Sequence, residues 1–176
     1  MGFIRLNKQV EVVSEENLNK KRQHKKGRPK RSDLPLVKAF KYDTIDGNAR
    51  LMMLCRGLMA LGWIDQDTDI QLFIDLFSGG EIRRRVTWTG ETNTLAELFR
   101  RLVKERGLVS LPAKQSLWVM VNGHFWEKEN RREFGTGRLR MTHCPLNHSQ
   151  TIDYLVKILD PKCSLEEICK LIESQR

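Results

Sequence analysis

The chain has 176 residues, 40% of them hydrophobic, which is enough for one domain with a real core plus a tail. Its net charge of +9 is unevenly placed: residues 1–33 hold ten Lys or Arg against four Asp or Glu, and residues 34–176 hold twenty-one against eighteen. No run approaches the roughly 18 apolar residues of a membrane span. Residues 1–6 show neither a secretory apolar stretch nor the Ser or Thr at position six that myristoylation needs, so a cytoplasmic protein is expected.

In residues 1–13, Ile4, Leu6, Val10 and Val12 share one alternating phase while Phe3 and Val13 fall on the other, a short and ambiguous strand signal. From Glu15 to Lys30 the only aliphatic residue is Leu18. Such a stretch cannot recover its ordering entropy by burial, so residues 1–33 are expected to form a flexible basic arm. The arm ends Lys25-Lys26-Gly27-Arg28-Pro29-Lys30-Arg31. Gly-Arg-Pro among basic residues resembles the core of an AT-hook. The resemblance implies Arg28 in an A·T minor groove, Gly27 and Pro29 keeping the backbone extended, and Lys26, Lys30 and Arg31 on phosphates. Lys30 stands where that family has a second arginine, and lacks its flat guanidinium fork. Non-specific attraction to polyanions and a plain linker are the alternatives to a minor-groove role.

Residues 34–176 read as a compact, mainly α, multi-helix domain with at most one short strand or hairpin. Asp46-Gly47-Asn48 is a turn and candidate cap for a helix whose face is Leu51, Leu54, Cys55, Leu58 and Leu61, broadened by Met52, Met53 and Met59. Gly62 fits its C-terminal end, with Trp63 making the contact beyond. The acidic run 65–69 lacks the glycine and glutamate of a calcium loop, so Asp67 or Thr68 is expected to cap a helix through Leu72, Phe73, Leu76 and Phe77. Gly79-Gly80 ends it.

Residues 82–88 are the best strand candidate: period two sets Ile82, Arg84, Val86 and Trp88 on one side and Arg83, Arg85 and Thr87 on the other. Arg83 and Arg85 are therefore candidate phosphate contacts, with a charge-blunted sheet edge as the structural alternative. Thr94 and Glu97 suggest a capping box for a helix through Leu95, Leu98, Phe99 and Leu102, stopped by Gly107. Ser110 and Pro112 open a second helical run through Leu117, Trp118, Val121 and Phe125. The spacing is superficially that of a helix-turn-helix, but Gln115, Ser116 and Asn122 are a poor inventory for reading bases. Residues 127–132 are expected to be exposed, residues 134–137 to turn, and residues 138–141 to be extended. A helix then runs through Ile152, Leu155, Val156 and Leu159 to Pro161. Ser164 and Glu167 box the start of a last helix bearing Leu165, Ile168, Leu171 and Ile172.

Little of this points to catalysis. There is no phosphate-binding Gly-rich loop with Lys and Ser/Thr, no HExxH, and Cys144 beside His143 is adjacency alone. Cys55, Cys144, Cys163 and Cys169 read as free thiols, Cys55 and Cys169 on apolar stripes. His143, Cys144 and His148 with Cys163 and Cys169 could supply four zinc ligands, but their spacing matches no CxxC arrangement. No enzyme activity and no cofactor are expected.

Val86-Thr87-Trp88-Thr89-Gly90, Asn93, the aliphatic helix over residues 95–102, and the later Trp118 and Phe125 resemble the C-terminal region of the RteC family, regulators from mobile conjugative elements of gut-type Bacteroidetes. The resemblance spans residues 82–158 and implies a regulator or accessory protein acting on DNA or on another element-encoded protein. The expectation is a nucleic-acid-associated protein that binds DNA with low specificity through Lys25, Lys26, Gly27, Arg28, Pro29, Lys30 and Arg31, with Arg83 and Arg85. A homodimer or an element-encoded protein is a further expected partner, and a membrane is not. The alternative is a helical protein–protein adaptor whose tail only solubilises it.

Overall fold

A computed structural model describes residues 35–128 and 131–173; the expected arm, residues 1–33, lies outside them. The described chain is a mainly helical, multi-helix domain with limited strand content. In order it comprises β1 (Val37–Lys38), α1 (Gly47–Ala60), α2 (Ile70–Asp75), β2 (Glu81–Ile82), β3 (Val86–Trp88) and α3 (Thr92–Phe99). A π-helical segment (Arg100–Glu105) continues α3, followed by α4 (Leu117–His124), β4 (Phe125–Glu127), α5 (Thr136–Met141), α6 (Ser149–Leu159) and α7 (Leu165–Glu173).

The α1 stripe buries Leu51, Leu54, Cys55 and Leu58 against α6 and α2, while Leu61 falls past the helix end and is exposed. Gly62 adopts φ +67°, its N–H donates to Met59 and the Trp63 N–H donates to Leu58, the paired bonds of a Schellman C-terminus. The aromatic rings form a continuous core: Phe40 stacks on Phe99 at 5.0 Å, Phe99 meets Phe125 at 5.3 Å, and Phe125 meets Trp88 edge-on at 5.9 Å.

The strand expected over residues 82–88 is divided. β2 pairs antiparallel with β1, and β3 pairs parallel with β4, with Val86 opposite Phe125 and Trp88 opposite Glu127. Residues 83–85 join the two ladders outside either one. The apolar phase breaks at Arg84, which is exposed, so there is no continuous buried face to hold one strand.

Helix starts also shift. Asp69, rather than Asp67 or Thr68, caps α2 by accepting the Gln71 N–H at 2.9 Å. The expected capping box at Thr94 does not form. α3 begins after Glu91, the Thr94 hydroxyl donates to the Glu91 carbonyl at 2.7 Å, and the Glu97 carboxylate turns instead to Arg100 and Arg101. Charge-assisted bonds to two guanidiniums are stronger than the return to a backbone N–H. The run from Ser110 does not become helical until Leu117, because Pro112 and a left-handed Lys114 (φ +65°) precede the true cap, Ser116. Residues 138–141 are helical rather than extended, since burying Leu139 completely gives α5 a core contact that its glycine-flanked sequence conceals. At α7 the Ser164 hydroxyl accepts the Glu167 N–H at 3.1 Å, as its cap should.

Candidate nucleic-acid interface

Parallel pairing of β3 with β4 buries Val86, Trp88 and Phe125 on the core side and leaves Thr87 and Trp126 half-buried on the other. Arg85, two residues before Thr87, lies along this outer side. Its guanidinium covers the Trp126 ring at 4.2 Å from the centroid, and Nη1 donates to Glu133 at 2.9 Å, leaving the side chain 5% exposed. Glu133 also accepts from Asn122 at 3.0 Å, whose own carbonyl oxygen accepts the Gly135 N–H. Arg85 is thus bound into the domain. Arg83 is exposed and forms no ion pair among the described residues, and Arg84 lies 3.9 Å from Asp69 with both groups in solvent.

Glu127, expected to be exposed, is 16% exposed and receives Arg132 at 2.8 Å and Arg138 at 2.6 Å. Those two hydrogen bonds hold its carboxyl below the usual carboxylate range. Lys128 and Arg131 project into solvent beside it. Of the expected contacts, then, Arg83 is open to a partner, Arg85 is engaged, and Lys25, Lys26, Gly27, Arg28, Pro29, Lys30 and Arg31 lie outside the described residues. The grouping of Arg85 with Trp126 and Glu133 is invisible in the sequence, because parallel strands about forty residues apart leave no local signature.

Other polar groups serve the fold. Arg50 is buried: Nε donates to Asp46 at 2.7 Å, Nη1 to the carbonyls of Ile158 and Asp160, and Nη2 to that of Cys163 at 2.8 Å. Tyr42 donates to Leu159 O at 2.7 Å, so side chains satisfy the C-terminal end of α6. At the other end Arg101 donates to Glu97, Ser149, Asp153 and the Cys144 sulfur. Burial works to raise the Glu97 carboxyl, but hydrogen bonds from Arg101 and Arg100 outweigh it and hold it low.

His124, expected at the core edge, is fully buried; Nε2 lies 2.9 Å from the Lys38 carbonyl and Nδ1 has no partner. Burial lowers its pKa to about 4. Nε2 therefore carries the proton and donates to Lys38. The Cys55 thiol, buried on α1, is pushed up to about 11 by desolvation, consistent with a packing role. Among the described residues no three His, Cys, Asp or Glu side chains converge as a metal site, and no helix is long and apolar enough to cross a membrane. His148 instead packs edge-on against Trp63 at 5.5 Å. Cys169 lies outside the residues whose side chains are described.

Compared with protein-family models, curated proteins and solved structures, the chain matches none.

Proposed function

We propose that this chain is a nucleic-acid-associated regulatory or accessory protein that binds DNA mainly through phosphate contacts. The observation that carries this reading is the concentration of charge in residues 1–33, where ten cations meet four carboxylates and few apolar side chains. Such a segment attracts a polyanion at long range and releases its counterions on contact, so affinity falls steeply with salt. The exposed Arg83 supports the reading from the folded part. A mobile-element setting is part of the proposal and rests on the resemblance of residues 82–158.

The test is a salt titration of full-length protein on A·T-rich duplex, against a variant with Lys25, Lys26, Arg28, Lys30 and Arg31 changed to alanine. The expected result is weaker binding by the variant, with a shallower dependence of log K on log salt. Equal affinity and equal slope for the two proteins would remove the arm from the reading. Arg28→Lys alone separates minor-groove insertion from phosphate attraction: preference for A·T over G·C duplex falls only if a guanidinium enters the groove.

A further inference from the structure

We propose that the π-helical segment and the C-terminal end of α5, joined beside Trp118, form a contact surface for the phosphodiester backbone of duplex DNA, with Lys104 and Arg140 as its ligands. The inference rests on the reading of the protein as DNA-associated, and adds a fold-built surface to the sequence-built arm.

The construction begins with Arg100. It donates to the Glu97 carboxylate, and its Nη2 donates to the Thr142 carbonyl at 3.0 Å, which ties the π-helical segment to the residue that ends α5. Its guanidinium lies 5.6 Å from the centre of the Trp118 ring, and the Lys104 ammonium lies 5.5 Å from the same centre. Trp118 is buried on α4, so the core fixes the indole on which the two cations rest. An aromatic face orients an ammonium without neutralising it. Lys104 is therefore held in place with its charge intact, whereas the charge of Arg85 is spent on Glu133. On α5, Leu139 is buried in the core and Arg140 is exposed, two residues before Thr142. Neither Lys104 nor Arg140 forms an ion pair among the described residues.

The carboxylates of this region are engaged or turned aside. Glu97 serves both Arg100 and Arg101, and Asp153 serves Arg101. Glu105 is exposed and follows Arg101 by four residues, as Lys104 follows Arg100. It therefore lies on the side that Arg101 turns toward α6, while Lys104 lies on the side of Trp118. Solvent-facing cations set by an indole and a helix end, rather than by a carboxylate, keep their charge for an outside anion, and phosphates are bound by charge and position alone. No bidentate pattern aims at base edges, so the recognised chemistry is the phosphodiester backbone.

The test uses the full chain on a G·C-rich duplex, where minor-groove insertion by the arm contributes least. The K104A/R140A variant should lower the magnitude of the log K against log salt slope by about two, with a melting temperature within a few degrees of wild type because both side chains are exposed. K104Q/R140Q, which keeps more of the side-chain stems, should behave the same way. R56A, removing an exposed cation from α1, should leave the slope unchanged. If wild-type protein binds duplex and K104A/R140A keeps the wild-type slope, the proposed surface is wrong and the arm reading survives. An R56A loss equal to the per-residue loss in K104A/R140A overturns it too, since net charge then explains the effect. If wild-type protein binds no duplex, both readings fall.

Discussion

Arg50 and Arg101 hold opposite ends of one helix. Arg50, on α1, donates to the carbonyls of Ile158, Asp160 and Cys163 where α6 ends, and Arg101, in the π-helical segment, donates to Ser149 and Asp153 where α6 begins. At the C-terminal end a guanidinium meets the negative end of the helix dipole as well as its unpaired carbonyls. At the N-terminal end the dipole opposes a cation, and Glu97 and Asp153 supply the compensating charge. α6 is therefore positioned by polar contacts as well as by its apolar face.

Removing the Arg50 guanidinium leaves buried carbonyls without donors. Arg50→Met should cost about 3–5 kcal/mol, seen in urea denaturation as a lower midpoint with unchanged slope. Arg50→Lys should recover only part, because one ammonium cannot reproduce a fork spanning Asp46 and three carbonyls. A loss below about 1 kcal/mol for Arg50→Met would show that α6 does not need this contact.

His124 sets an acid limit. Its folded pKa is about 4 against an ordinary 6.5, so the unfolded chain binds more protons between those values. Stability is then full above pH 6.5 and falls as pH drops toward 4, by roughly 3 kcal/mol at most. Gln keeps a donor for the Lys38 carbonyl and does not titrate, so His124→Gln should flatten this part of the pH–stability curve.

Glu97 acts in a lower window. Its carboxyl is held below the ordinary 4.5, so its contribution is present above that value and lost as pH falls through the folded pKa. Glu97→Gln should destabilise the protein at pH 7 and narrow the gap to wild type below pH 4.5. A gap that stays constant down to pH 3 would mean that folding does not lower the Glu97 pKa.

Arg83 and Arg85 should separate in a binding assay. Arg83→Ala removes an exposed cation and should reduce the magnitude of the salt slope by about one. Arg85→Ala should leave that slope near the wild-type value, while uncovering Trp126. Because Glu133 is half-exposed, a double-mutant cycle between Arg85 and Glu133 should give a coupling of about 1 kcal/mol or less. Equal slope losses for the two arginines would place Arg85 on the DNA.

Gly62 tests the α1 terminus. At φ +67° an alanine carries the left-handed penalty, with nothing crowding its Cβ. Gly62→Ala should therefore lower stability by about 1 kcal/mol without altering duplex binding.

The sequence by itself determined the helical character of the domain, the faces of α1, α2, α3 and α6, and the stops at Gly62 and Gly107, whereas α2 ends at Asp75, short of the Gly79-Gly80 stop the sequence suggests. These follow from local periodicity and backbone preference, which need no distant partner. It also fixed the uneven distribution of charge. Only the tertiary structure decided that residues 82–88 divide between two ladders, that Leu139 draws residues 136–141 into a helix, and that Glu97 faces Arg101 instead of its own cap. It alone bound Arg85 to Trp126 and Glu133 while leaving Arg83 open. Each of those outcomes depends on which groups become neighbours across long stretches of chain, where burial and charge pairing override the local preference that a sequence displays.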